Sequence, residues 1–238
     1  MVNRKRNKME RALIIGKGEI GKSLYKVFHD AWYNIDIRDT ENTLEDKDYD
    51  ILHISFPYSD SFIDDVRNYQ SLYNPKYTII HSTVPVGTSK KCDAIHSPVI
   101  GIHPHLAQSL KTFTKFLAGE KASEVADYFR RAGIKVYLLD NQEESELMKV
   151  LSTTYYATMI EYVKEVKRQC KKNNVPFTDW TVWNENYNNG YNKLGYPEYT
   201  RPNLVPIMKE QGGHCTIPNL SLLESEFTKF IKEQNANK

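Results

Sequence analysis

The chain has 238 residues, enough for one large domain or a medium one with a small companion, and enough to bury a core without disulfide staples. Apolar residues make up 40% and charged residues 26%, a balance that excludes a disordered chain. The net charge of +2, from 32 basic and 30 acidic residues, provides no basic footprint for nucleic acid, so no nucleic-acid partner is expected.

Residues 1–10 are basic (Arg4, Lys5, Arg6, Lys8) and no apolar stretch follows them, so they read as a solvated tail and not as a secretory signal. The longest apolar runs, such as Ala12–Ile15, are strand-sized and far short of the ~20 residues of a membrane helix. No membrane association is expected. Cys92, Cys170 and Cys215 are odd in number and widely spaced, which suits free thiols in a reducing, cytoplasmic setting. With no CxxC pair and no HExxH, no metal site is expected.

In chain order, the pattern predicts a strand at Arg11–Ile15 and a helix at Glu19–Asp30, with Ile20, Leu24, Val27 and Phe28 on one face. Strands follow at Tyr33–Asp39 and Asp50–Phe56, the latter ended by Pro57. A helix at Ser61–Tyr73 leads to a strand at Tyr77–His81, stopped by Pro85 and Gly87. Further strands are expected at Val99–Ile102 and Lys135–Leu139, with a helix at Ser123–Ala132 between them, closed by Gly133. Strand–helix alternation with continuously apolar strands predicts a parallel sheet covered on both faces.

After Asp140 the pattern changes. Glu143–Asn174 lacks Pro and Gly, and its apolar residues recur at three- and four-residue spacing, which predicts one long helix. Pro176–Pro206, rich in Asn, Tyr, Trp, Gly and Pro, reads as short helices and loops, and Leu220–Lys232 as a final amphipathic helix. Asn186, Tyr187 and Tyr191 suit either a polar pocket or a packed aromatic cluster.

Gly16-Lys17-Gly18-Glu19-Ile20-Gly21 matches GxGxxG between a predicted strand and a predicted helix, the context that the fingerprint requires. Gly16 permits the tight turn, Gly18 lets a pyrophosphate reach the backbone, and Gly21 lets the helix pack on the strand. The N–H groups of Glu19, Ile20 and Gly21 open the helix toward the phosphates. Asp39 closes the second strand about 20 residues on, where a carboxylate accepts the ribose hydroxyls and repels a 2′-phosphate. NAD is therefore expected over NADP, although neighbouring Arg38 is the residue type that accommodates the phosphate.

Three further segments carry a family resemblance. His81-Ser82-Thr83-Val84-Pro85-Val86-Gly87-Thr88 resembles the STVPVGT segment of the UDP-glucose/GDP-mannose (nucleotide-sugar) dehydrogenases. Glu146-Leu147-Met148-Lys149 is similar to that family's ExxK motif, and Gly212-Gly213-His214-Cys215 to its GGxC segment. The order is the family's, over roughly residues 11–225. Ser55-Phe56-Pro57 lies where the family has a Pro-ended strand beside the cofactor.

The resemblance implies oxidation of an alcohol through an aldehyde to an acid with two NAD. Cys215 would attack the aldehyde carbon as a thiolate, and loss of hydride from the adduct leaves a thioester that water cleaves. Lys149 would stabilise the oxyanion or take the alcohol proton, and Thr83 would orient water or contact the nicotinamide side. Phe56, Pro57, Ser82 and Thr83 would flank the cofactor, and Arg201 would contact substrate. Thr153 stands where the family has Asn, Asn219 where it has Asp, and His105 where it has Glu. The family's second α/β domain has no counterpart in the residues after Cys215.

His103-Pro104-His105 also resembles a segment of prephenate-type dehydrogenases, in which a histidine near neutral pKa serves acid–base chemistry; both histidines suit loop packing equally. Cys215 also fits a buried small apolar residue, and Lys149 a solvated charge.

The expected architecture is α/β: a tail at 1–10, a Rossmann-type doubly wound parallel sheet at 11–140, and a smaller all-helical domain with one long helix at 141–238. The expected function is an NAD-dependent dehydrogenase acting on a polar alcohol, with nucleotide sugars and other sugar derivatives as candidates, and forming a homodimer through the long helix. Two alternatives stand beside it. One is a single-hydride dehydrogenase of the 6-phosphogluconate/prephenate type using Lys149 or His105. The other is a non-catalytic NAD- or nucleotide-sugar-binding protein.

Overall fold

The computed structural model describes residues 10–39, 48–209, 211 and 216–236. The chain divides into two compact units, Met1–Lys149 and Val150–Lys238.

The first unit is built on a seven-stranded sheet. Its strands are β1 (Arg11–Ile15), β2 (Asn34–Arg38), β3 (Ile51–Ile54), β4 (Tyr77–Ile80), β5 (Ile95–His96), β6 (Lys115–Ala118) and β7 (Val136–Leu139). The spatial order is β2-β1-β3-β4-β5-β6-β7. The helices are α1 (Glu19–Asp30), α2 (Phe62–Tyr73), α3 (Thr88–Lys91), α4 (Leu106–Thr112), α5 (Ala122–Arg131) and the start of α6 (Gln142–Lys172).

The period-2 alternation of β1 shows how the core forms. Ala12 and Ile14 join one apolar cluster with Leu24, Phe28 and Phe129. Leu13 and Ile15 join a second, on the opposite face, with Leu52, Phe62 and Ile80. Both faces of β1 are dry because helices cover both, which is why the strand reads as a continuous apolar run, whereas Tyr137 and Leu138 of β7, at the sheet's edge, are exposed. Each fully buried Leu, Ile or Phe contributes about 1.5–3 kcal/mol. Phe28 stacks on Tyr128 at 4.6 Å between centroids and meets Phe129 edge-on at 5.5 Å.

Parallel pairing holds from β2 to β5 and between β6 and β7, but β5 and β6 are antiparallel, which corrects the uniformly parallel sheet expected. The strand expected at Val99–Ile102 lies instead at Ile95–His96. Pro98 cannot donate to a ladder, and lysine amines take the carbonyls of Ser97, Pro98 and Val99. Strand β6 had no counterpart in the sequence pattern, because it opens on a charged residue, Lys115.

The second unit holds the rest of α6, then α7 (Phe177–Leu194), a 3₁₀ turn at Pro197–Tyr199, α8 (Ile217–Leu220) and α9 (Glu226–Ala236). The long helix begins where expected. Asn141 Oδ1 accepts the Glu144 N–H at 3.0 Å while Asn141 Nδ2 donates to the Glu144 carboxylate at 2.8 Å, a reciprocal cap. Where short helices and loops were expected, α7 runs for 18 residues. Its weak helix formers are offset by ring contacts at four-residue spacing, Tyr187 on Tyr191 at 4.7 Å. The last helix starts six residues later than expected. Ser225 and Thr228 cap each other, each backbone N–H meeting the other's hydroxyl at 3.1 Å.

Candidate active site

The parallel strands β1 to β4 all deliver their carboxyl ends to one edge of the sheet. The chain leaves β1 for β2 on one side and returns to β3 on the other, which makes this edge a topological switch point and the binding crevice of open α/β sheets.

The glycine turn sits there. Gly16 has φ +103°, and a Cβ on it would lie 2.8 Å from the Ser55 carbonyl carbon. Its N–H donates to Arg38 O at 2.8 Å, fastening the turn to the end of β2. Gly21 is tighter still: a Cβ would come within 1.9 Å of Gly16 O. Gly18 differs. Among the described residues nothing lies within 4 Å of the place its Cβ would take, so no internal contact explains the missing side chain. An outside group that must approach the backbone does explain it. Helix α1 begins at Glu19 with Gly18 as its N-cap and no side-chain cap, so its first N–H groups remain available to an anion. Asp39 is exposed just past β2 and Arg38 is half-buried beside it. These residues fit a pyrophosphate-linked dinucleotide.

Ser55, which the sequence suggested only as a member of a Pro-ended strand, holds the turn from below. Its Oγ lies 3.0 Å from Ile15 O and 2.9 Å from Gly16 O, and donates between them. Next to it Ser82 Oγ donates to Phe56 O at 2.5 Å, joining the ends of β3 and β4. Phe56 is buried against Phe62, Pro57 is exposed, and Thr83 is half-buried. The structure therefore brings Gly16, Gly18, Glu19, Ile20, Gly21, Arg38, Asp39, Phe56, Pro57, Ser82 and Thr83 to one edge. Glu19 also meets His103 Nδ1, which ties the glycine turn to the His103-Pro104-His105 segment. His105 is exposed and stands at the N-cap of α4.

The two motif residues on α6 divide their tasks. Glu146 is fully buried, and its two oxygens accept the N–H groups of Gly87 at 2.6 Å and Ser89 at 2.7 Å. It thus caps α3, just after the STVPVGT segment, while burial holds its carboxyl above the usual range. Lys149, half-buried, donates from Nζ to Val99 O at 2.9 Å.

Behind this edge runs a buried polar chain. Lys115, 3% exposed, donates from Nζ to Ser97 O at 2.7 Å and Pro98 O at 3.0 Å. Burial pushes its amine well below the usual range, and the charge of Lys149 acts in the same direction. The Ser97 carbonyl also accepts His81 Nδ1–H at 2.7 Å. His81 Nε2 must then accept from His53 Nδ1, at 2.9 Å, and His53 Nε2 must accept the Tyr128 hydroxyl, at 3.1 Å. His96 follows the same logic: Nε2–H donates to Ser82 O at 3.2 Å, and Nδ1 accepts from Ser145 Oγ at 2.5 Å. Burial pushes His53 and His96 down to about 3 and His81 well below its usual value. All three are neutral, fully satisfied fixtures at neutral pH. Cys92 is buried as well, and burial pushes its thiol up to about 11.

Thr153, Asn219 and Arg201 belong to the second unit. Thr153 Oγ1 donates to Val150 O at 2.9 Å. Asn219 is buried in α8. Arg201 lies with its guanidinium carbon 3.5 Å above the Tyr187 ring. Cys215 and the Gly212-Gly213-His214 before it lie outside the described residues. Among the described residues no group of three or more His, Cys, Asp or Glu could hold a metal ion, and no helix is long and apolar enough to cross a membrane.

Sheet order and glycine turn together place the first unit among Rossmann-type folds, and comparison with solved structures gives the same class for the chain. It superposes on the UDP-D-ManNAc dehydrogenase of Pyrococcus horikoshii with a TM-score of 0.70 at 15% identity, covering 95% of this chain and 68% of that one. With a UDP-N-acetyl-mannosamine dehydrogenase of Staphylococcus aureus the TM-score is 0.73 at 13% identity, over 95% and 68%. With the 3-hydroxyisobutyrate dehydrogenase of Mycobacterium tuberculosis, solved with L-serine, it is 0.71 at 12% identity, over 96% and 93%. The nucleotide-sugar dehydrogenase resemblance read from the motifs thus recurs as a likeness of fold. No protein-family model and no curated protein matches the sequence.

Proposed function

We propose that this protein is an NAD-dependent dehydrogenase that oxidises a CH–OH group of a polar alcohol. The observation that carries this reading is Gly18: a glycine that no neighbour among the described residues crowds, beside two glycines crowded by backbone, at the uncapped start of a helix. Glu19, Ile20 and Gly21 would offer backbone N–H groups to the pyrophosphate, and Asp39 would accept the ribose hydroxyls. Asp39 favours NAD, and Arg38 is where NADP would find a partner for its extra phosphate. The cofactor, when bound, supplies the acceptor for a hydride. Lys149 Nζ would take the alcohol proton or steady the oxyanion, with Thr83 orienting water and His105, Thr153, Arg201 and Asn219 candidates for substrate contact. Cys215 is the candidate nucleophile for a second oxidation, of an aldehyde to an acid.

A single-hydride reaction is the second reading. The 3-hydroxyisobutyrate dehydrogenase is covered over 93% of its length, and Thr153 and Asn219 replace the amide and carboxylate that the four-electron enzymes carry. The α6 stripe of Leu151, Tyr155 and Tyr162, exposed in one copy, supports a homodimer through that helix.

Calorimetric titration tests the cradle. The wild type should bind NAD more tightly than NADP, and Gly18→Ala should weaken NAD at least tenfold while leaving the melting temperature unchanged. Equal NAD affinity in the variant, or no heat from either cofactor, would overturn the proposal. Turnover with UDP-N-acetylmannosamine, 3-hydroxyisobutyrate and related alcohols should then release NADH. Two NADH per substrate, one in Cys215→Ser, identifies the four-electron reaction; one in both identifies the single transfer.

A further inference from the structure

A cavity of about 240 Å³ lies inside the second unit, between the middle of α6 and the segment after α7. Tyr155, Tyr162 and Trp180 supply ring walls, and its polar members are Asn184, Arg201 and Thr200, whose hydroxyl donates to Pro197 O at 2.7 Å.

Arg201 is held firmly. Its backbone N–H donates to Asn188 Oδ1 and its carbonyl accepts from Asn188 Nδ2, each at 2.8 Å. Its guanidinium carbon lies 3.5 Å from the centre of the Tyr187 ring. The cation–ring attraction uses the ring face, and the N–H groups of an arginine are the part that grips a carboxylate with two parallel bonds. Among the described residues no carboxylate pairs with it. Asn184 is 3% exposed; its Nδ2 donates to Asn203, but its own Oδ1 is buried with no partner among the described residues. A buried amide oxygen without a donor is costly, so its presence beside a cavity points to a donor that arrives with a ligand.

We propose that this cavity binds a small aromatic acid. The ring lies between Tyr155, Tyr162 and Trp180, the carboxylate meets the N–H groups of Arg201, and a ring hydroxyl or N–H donates to Asn184 Oδ1. The volume suits one ring with short substituents, being below the roughly 300–1,000 Å³ of sites for larger ligands. An apolar side chain from a second copy would fill the ring walls but leave the Arg201 charge and the Asn184 oxygen unmatched. Every residue invoked falls within 155–203, so the site does not depend on the dinucleotide reading, and it takes Arg201 in place of the alcohol-substrate contact that the family resemblance suggests.

Titration of the full chain with 4-hydroxybenzoate tests this. Saturable one-to-one binding is expected. Benzoate, which lacks the donor, should bind at least fivefold more weakly, and 4-hydroxybenzyl alcohol, which lacks the charge, at least tenfold. Arg201→Gln should weaken 4-hydroxybenzoate at least tenfold, with Arg201→Lys in between, and NAD affinity should not move. Tyr155→Leu, at an exposed wall position, should weaken it too and covers the case in which Arg201 variants fold poorly. Absence of saturable binding overturns the proposal, as does equal affinity in Arg201→Gln and Tyr155→Leu. So does a change in sedimentation in those variants with no ligand effect, which would assign the cavity to a contact between copies.

Discussion

The two units are held together by different means. In the first, every one of the largest fully buried side chains, Phe28, Phe62, Tyr128 and Phe129 among them, sits in one of two clusters sandwiching a sheet, and its buried histidines are satisfied by hydrogen bonds. In the second, the buried apolar cluster is Ala157, Leu220 and Ile231, and the helices expose Tyr155, Tyr156, Tyr162, Val182 and Trp183. Its buried charges, Glu161 and Lys164, pair at 2.7 Å, an arrangement that roughly balances desolvation against attraction and adds little net stability. A ligand or a second copy that covered the exposed rings of the second unit would raise its stability by mass action.

The first unit breaks most completely at Gly21. A Cβ 1.9 Å from a backbone oxygen and 2.9 Å from Ser55 Oγ cannot be absorbed by a flexible side chain, so the turn itself must open. Gly21→Ala should cost about 3 kcal/mol or more, read as a lower urea midpoint, and should abolish NAD binding. The contrast with Gly18→Ala is the point: the same added methyl, three residues apart, should destabilise in one case and only weaken binding in the other. Equal losses of stability in both would mean that Gly18 has a packing role.

How much of this was legible in the sequence follows the same division. Strands β1 to β4, helices α1 and α2 and the glycine turn were readable because apolar runs and a spaced glycine triad each have a single physical cause. Strand β6 was not, because Lys115 looks like a solvated charge until the carbonyls of Ser97 and Pro98 are seen around it. Strand β5 was misplaced for the same reason, since those side-chain bonds replace the ladder expected at Val99–Ile102. In the second unit α7 was hidden by composition, its support coming from ring stacking that depends on the fold. The last helix was placed from its apolar start at Leu220, and the Ser225/Thr228 cap that sets its actual start was not read from the sequence. Glu146 was singled out for a motif of little specificity, and its role as a cap on α3 needed the structure.

Lys115 offers a finer test of the first unit. Burial lowers the pKa of its amine, so across a window below 10.5 the folded chain has released a proton that the unfolded chain still holds. Stability then rises with pH through that window, by up to about 1.4 kcal/mol per pH unit, and levels off near 10.5 where the unfolded lysine also deprotonates. Lys115→Met keeps the volume and removes the titration. Urea midpoints measured from pH 7 to 10 should therefore climb more steeply for the wild type than for the variant. Parallel profiles would mean that Lys115 stays charged in the fold, against the burial argument.

The smallest effect on stability is expected in the second unit, and its size is the informative part. Leu151 is 47% exposed on α6 and is not among the residues lining the aromatic cavity, so replacing it should leave both the fold and that cavity intact. Leu151→Glu should change the unfolding free energy of the isolated chain by no more than about 0.5 kcal/mol, as for surface positions in general. If α6 is the dimer seam, the same charge set into an apolar contact should weaken self-association at least tenfold, seen by sedimentation over a range of concentrations. A wild type that sediments as a monomer throughout would remove the second copy from the surfaces available to this unit. The exposed rings of α6 and α7 would then need another explanation, and the aromatic-acid site would be the binding event left to stabilise it.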